Sequence, residues 1–177
     1  MFPDWLFLLD GVRQLLERLH STNNCGLLSP ILAQGVRRWS LSHLPQHTNS
    51  NLLNDLESLV VSTVHDAAHL QTYRDAIREL RCHVSLALSA DHSSPDIMDA
   101  FVWQYEVVGG FLPLLRVPTQ EAVAIFVHFC IVLSRLEGQR WLQGWATFLV
   151  SRAWEMLDEE HRMWIQWPIE EIGWVRP

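Results

Sequence analysis

Apolar residues recur every three to four positions along most of the chain, the spacing that places them on one face of an α-helix. No stretch alternates strictly between apolar and polar residues, as a half-buried β-strand would. The pattern therefore predicts an all-α fold, a multi-helix bundle of about seven to eight helices. The predicted helices span about residues 5–20, 29–39, 51–64, 66–90, 96–108, 119–136 and 140–157, with a short pair at 159–166 and 168–172.

The clearest hydrophobic patterns are the seam of the longest predicted helix and the longest apolar run. The seam of the longest helix consists of Leu70, Tyr73, Ile77, Leu80, Val84 and Ala87. Such a seam packs either against neighbouring helices of the same chain, which we favour, or against a second copy. The longest apolar run, Ala122 to Leu133, is interrupted only by His128. A membrane span needs about 20 apolar residues, so this run predicts a buried central helix instead.

Polar stretches and glycines separate the predicted helices. Residues 40–50 are polar and aperiodic and predict a mobile loop. Gly109 and Gly110 predict a helix end that requires positive φ. Residues 111–118 contain two prolines and predict an apolar, non-helical connector that lies against a buried surface. Gly138 separates the last two long helices.

Length and composition predict a single domain over residues 1–177, with a hydrophobic fraction of 49% that can build a sizeable core. The chain has 13 basic and 20 acidic residues and a net charge of −7. This balance argues against direct nucleic-acid binding, which needs clustered basic residues. The three cysteines are far apart in sequence and predict reduced thiols in an intracellular protein, and no secretory signal is visible.

Six of the nine tryptophans lie between Gln139 and Trp174. Tryptophan combines a large apolar surface with one hydrogen-bond donor. Such a cluster therefore forms either a corner of the core or the wall of an apolar pocket. The residue pattern by itself favours the core.

Three histidine patterns are candidates for chemistry. His65 and His69 have the spacing by which a helix can chelate zinc, but no third ligand is evident, and we expect no metal site. His161 follows three acidic residues at a predicted helix start. Acidic side chains stabilise the N-terminal end of a helix dipole, so these residues need no catalytic role. His128 is either a satisfied core histidine or the polar anchor of a mostly apolar ligand.

Arg116 and Glu106, near the double glycine, are further candidates for such an anchor. The sequence has no nucleophile elbow, phosphate-binding loop, dinucleotide-binding glycine pattern or Cys-x-x-Cys pair. We therefore expect no cofactor.

Both ends of the chain resemble one known family. The opening PDWLFLLDGVRQLL resembles a helix in the C-terminal regulatory region of fungal zinc-cluster transcription factors of the sterol-uptake-control type. The ending LDEEHRMWIQWPIEEIGW resembles that family's closing signature, and VVGGFLPLL with the apolar helix after it fits the order between them. The zinc cluster and most of the helical half that precedes this region in the family are missing. We therefore expect either a piece of a larger regulator or a naturally short relative.

The resemblance implies an all-helical domain that forms dimers and binds a sterol in an apolar pocket. Ligand occupancy would control access to the nucleus and gene activation, which implies a location in nucleus and cytoplasm. The expected ligand is a small hydrophobic molecule, sterol-like or of polyketide or terpenoid type. The ligand-binding residues implied by the resemblance are Gly109, Gly110, Phe111, Leu112, Phe126, His128, Trp141 and Trp145.

A second interpretation is a stand-alone pocket enzyme of fungal secondary metabolism, of cyclase or pericyclase type. An apolar cavity with aromatic walls can fold a polyene or stabilise a cation without any nucleophile. Its catalytic candidates are His128, Arg116 and Glu106. A third interpretation is a helical adaptor that dimerises through the seam of the longest helix.

Overall fold

A computed structural model of the protein describes residues 11, 29–44, 49, 51–89, 96–107 and 109–176. Within these ranges all regular secondary structure is helical, which confirms the prediction of an all-α multi-helix bundle. The predicted helix 5–20 lies, apart from Gly11, outside the described residues. The helices are α1 (Ser29–Ser42), α2 (Asn54–Thr63), α3 (Ala67–Leu88), α4 (Ile97–Val107), α5 (Phe111–Arg116), α6 (Gln120–Arg135), α7 (Trp145–Met156), α8 (Glu159–Trp164) and α9 (Gln166–Ile172).

The centre of the bundle is α6, which contacts α3, α4, α5, α7, α8 and α9. Every residue from Ala122 to Leu133 is buried, which confirms the prediction of a buried central helix. The helix begins where predicted because the Thr119 hydroxyl accepts a hydrogen bond from the Ala122 amide at 3.3 Å. Among the described residues, no helix has both the length and the apolar character that crossing a membrane requires.

The seam of α3 packs inside the same chain, against α6 and α4. Tyr73, Ile77 and Leu80 at its centre are at most 1% exposed. The preferred interpretation, a bundle face within one chain, is confirmed. The adaptor interpretation requires this face to pair with a second copy. In the structure the face is covered by α4 and α6 and is not available for that contact.

The connector predicted over residues 111–118 is helical instead, because Phe111–Arg116 forms α5. Pro113 lies in the first turn, where a backbone amide has no partner within the helix, so proline is tolerated there. Gly110 has φ −106°, so the prediction of a left-handed conformation is wrong for this glycine. A Cβ atom on Gly110 would lie 3.3 Å from Cγ2 of Thr72, so glycine allows α5 to begin close to α3.

Two further helix ends differ from the prediction. The tryptophan-rich helix begins at Trp145 rather than near residue 140, because residues 136–144 form turns and Gly144 has φ +76°. At the other end of the chain, α1 continues to Ser42, so the predicted loop 40–50 begins later. Residues 45–48 and 50 of that loop lie outside the described residues.

Candidate functional site

Two of the predicted ligand-binding residues, Phe111 and Phe126, lie in one aromatic stack. Its centre is Trp103, whose ring stacks on Phe129 with centroids 4.4 Å apart. Phe111 meets Trp103 edge-on at 5.8 Å, and Phe126 lies 5.8 Å from Phe129. All four rings are at most 1% exposed.

Trp103 was not a sequence candidate, although it is the largest fully buried side chain among the described residues. Its indole nitrogen donates to the Ala76 carbonyl at 3.3 Å and so ties α4 to α3. The only sequence signal was a single tryptophan in an apolar helix, far from the tryptophan-rich ending. Trp103 thus connects α4 with α3, α5 and α6 at once.

His128 lies on α6 and is 3% exposed. Its Nδ1 is 2.8 Å from the Ala124 carbonyl oxygen, which can only accept, so Nδ1 carries the proton. Burial lowers the pKa of His128 to about 4, which keeps the ring neutral at physiological pH. The neutral ring therefore presents Nε2 as a hydrogen-bond acceptor. The ring of Trp167 on α9 lies beside it, with centroids 5.9 Å apart.

The other predicted ligand-binding residues are spread over the molecule. Gly109 and Gly110 form an exposed turn, and Leu112 is buried on α5. Trp141 is 59% exposed in the turns before α7, and Trp145 is half-buried at the start of α7.

The candidates for catalysis do not lie on one surface. His128 is inside the bundle on α6, whereas Glu106 on α4 and Arg116 at the end of α5 are exposed. Cys130, two residues after His128, is fully buried, and burial raises the pKa of its thiol. A buried thiol of raised pKa is a poor nucleophile.

The His65 and His69 pair does not form a zinc site. His65 precedes α3, and Asp66 caps the helix by accepting a hydrogen bond from the His69 amide at 2.7 Å. The two histidines therefore do not share one helical turn. Across the described ranges, no group of three or more histidine, cysteine or acidic side chains could hold a metal ion.

His161 pairs with the carboxylate of Asp158. Asp158 caps α8 and accepts from both the backbone amide and Nδ1 of His161, at 2.9 and 2.8 Å. The backbone hydrogen bond is the main reason that the pKa of Asp158 is lowered. Nε2 of His161 is buried without a partner among the described residues, and the ring lies against Trp164, tilted by 44° with centroids 4.3 Å apart. This geometry is that of a helix cap.

A second polar group, which sequence analysis missed, joins α1 to α3 and α4. Arg38 donates from Nε and Nη2 to both carboxylate oxygens of Asp99, at 2.6 and 2.5 Å, and both residues are buried. Nε2 of His43 lies 3.0 Å from the carboxylate of Glu79. The ring of His83 meets the ring of His43 edge-on at 6.3 Å.

Part of this group has the form of a catalytic relay. Ser42 Oγ lies 3.1 Å from Nδ1 of His43, and His43 contacts Glu79 through its other nitrogen. However, the Ser42 hydroxyl also contacts the Trp39 carbonyl at 2.9 Å, and Ser42 is fully buried. A nucleophile must reach its substrate, so this geometry does not support nucleophilic catalysis.

Comparison of the chain with protein families, with curated proteins and with solved structures finds no match.

Proposed function

We propose that this chain is a regulatory domain that binds a hydrophobic, sterol-like ligand carrying a hydroxyl group. The resemblance of both ends of the sequence to the regulatory region of fungal zinc-cluster transcription factors supports the ligand class. By the same resemblance, the bound ligand regulates transcription and the domain works as a homodimer in nucleus and cytoplasm. The all-α fold is compatible with this function.

The observation that carries the proposal is the state of His128. A neutral imidazole in the central helix of the bundle holds its donor nitrogen on a backbone carbonyl and offers its other nitrogen as an acceptor. A hydroxyl group that enters an apolar site needs such an acceptor, because an unpaired polar group costs free energy there. A ligand hydroxyl would supply the donor, while Trp167 beside the ring suits the apolar body of the ligand.

The test compares two ligands that differ only in the donor. A fluorescent sterol with a free hydroxyl and its methyl ether are titrated into the protein, and binding is followed by energy transfer from tryptophan. One hydrogen bond of about 1 kcal/mol corresponds to roughly fivefold tighter binding of the free sterol. The variant His128→Leu should bind both sterols equally. His69→Gln, which changes an exposed histidine on α3, should behave as wild type.

The possible outcomes test sterol binding and the role of His128 separately. If wild-type protein binds neither sterol, the proposed function is wrong. If wild type and His128→Leu show the same preference, the domain binds sterols but His128 is not the anchor.

The enzyme interpretation has less support because its three candidate residues lie partly inside the bundle and partly on its surface. A separate assay tests it. Consumption of a polyene substrate by the wild-type protein, followed by mass spectrometry, would favour an enzyme over a ligand sensor.

A further inference from the structure

Helix α1 is attached to the bundle by polar side chains. Its buried residues are Arg38 and Ser42, and none of its described residues belongs to the hydrophobic core. Apolar side chains point outward instead: Ile31 is 55% and Val36 is 65% exposed. Burial of apolar side chains is the main attractive force in a helical bundle. Helix α1 differs because its buried side chains are polar.

Among the described residues, the polar side chains of Gln34, Arg38 and His43 attach α1 to its neighbours. Arg38 forms the buried two-bond ion pair with Asp99 on α4. Nε2 of Gln34 donates to Asp96, just before α4, at 2.7 Å. At the end of α1, His43 contacts Glu79 on α3 at 3.0 Å. Contacts of this kind depend on charge, so the attachment of α1 depends on the protonation of the groups beneath it.

His83 lies on α3, beneath the end of α1. It is 1% exposed, and neither ring nitrogen has a hydrogen-bond partner among the described residues. The ring of His43 covers it edge-on, and the positive charges of Arg38 and His43 oppose a proton on it. Burial and these two charges lower the pKa of His83 from 6.5 to about 3.

The described carboxylates around α1 are engaged by other groups. Glu79 contacts His43, and Asp99 contacts Arg38. Arg78, on α3, lies 3.7 Å from Glu79. His83 therefore has no carboxylate partner among the described residues that would stabilise its charged form.

We propose that α1 is a releasable latch that acidification detaches from α3 and α4, with His83 as the group that takes up the proton. When α1 is attached, His83 is buried and neutral. When α1 is released, water reaches the ring, which then binds a proton as an exposed histidine does. Protonation thus favours the released state. This inference is independent of the proposed ligand.

The direction of the pH effect follows from the two pKa values. The pKa of His83 is about 3 in the attached state and 6.5 as an exposed group, so attachment is unaffected above pH 6.5. It weakens as the pH falls from 6.5 towards 3. Between pH 7.5 and pH 5, proton linkage at this one group shifts the equilibrium towards release by about 30-fold.

Hydrogen exchange measured by mass spectrometry tests the latch. Full-length protein is labelled at pH 7.5 and pH 5, and rates are corrected for intrinsic exchange. We expect the open population of residues 29–44 to rise about 30-fold, with no rise in residues 120–135 of α6. In His83→Met the rise should disappear, although Glu79 and Asp99 are retained. His69→Gln on the same helix should respond as wild type.

Three results would overturn the proposal. Equal protection of residues 29–44 at both pH values would show that α1 is not released. Simultaneous opening of α1 and α6 would show global unfolding instead of a latch. An unchanged pH response in His83→Met would assign the proton to another group. If His83→Met does not fold, His83→Gln serves with the same expected outcomes.

Discussion

Replacing Trp103 by phenylalanine should destabilise the domain more than the same replacement of Trp141 in the tryptophan-rich C-terminal region. Trp103 is fully buried and stacks on Phe129. The substitution removes the hydrogen bond to the Ala76 carbonyl, worth about 1 kcal/mol. It also leaves a cavity of roughly 40 Å³, which costs about 1 kcal/mol more at 24 cal/mol per Å³. We expect a total loss of about 2 kcal/mol.

The loss is measured by urea unfolding followed by far-ultraviolet circular dichroism. For a domain of this size, about 2 kcal/mol corresponds to a melting temperature lower by roughly 4–8 °C. Trp141→Phe is the matched control, because Trp141 is 59% exposed and its replacement should cost less than about 0.5 kcal/mol.

The comparison of the two variants decides whether Trp103 holds the helices together. If Trp103→Phe and Trp141→Phe have the same free energy of unfolding, the aromatic stack does not stabilise the bundle as described. A larger loss in Trp141→Phe would mean that the tryptophan-rich region, and not Trp103, is the centre of the core.

Two further predictions concern the ends of helices and use the same unfolding assay. Thr119→Ala removes the cap of α6 and the 2.8 Å contact with the Tyr73 hydroxyl, and should cost about 1–2 kcal/mol; an unchanged urea midpoint would contradict the cap. Gly144→Ala places a side chain at φ +76° and should cost about 1 kcal/mol. Gly138→Ala, where φ is not positive and no atom lies within 4 Å of the added Cβ, should be neutral, and equal losses in both variants would refute the conformational argument.

Much of the fold was predictable because most helices are specified by local signals. The apolar run of α6 and the cap at Thr119 lie within a few residues of each other, so both extent and burial of this helix follow from the sequence. The prediction failed at α5 because two prolines suggest an interrupted helix, whereas Pro113 lies in the first turn. The start of α7 was misplaced because the turns before Gly144 have no strong signal other than that glycine.

The polar contacts beneath α1 could not be predicted from local patterns. Arg38 and Asp99 are 61 positions apart in sequence, and His43 and Glu79 are 36 apart. Each of these residues also fits an exposed helix face, where charged side chains are common. Only the packing of α1 on α3 and α4 brings them together. The assignment of the ligand-binding residues remains a prediction. Some of these residues lie in the core, as His128 does, and others lie on the surface.

The position of α6 in the chain has a consequence for biosynthesis. Helices α3 and α4 leave the ribosome before α6 does, so Tyr73, Ile77 and Trp103 lack their main partner in that interval. The nascent chain then exposes the surface that later becomes the core, which favours association with chaperones that bind apolar segments. By contrast, α6 to α9 are neighbours in sequence and can assemble as they emerge. Helices α3 and α4 can therefore complete their packing only after α6 has emerged.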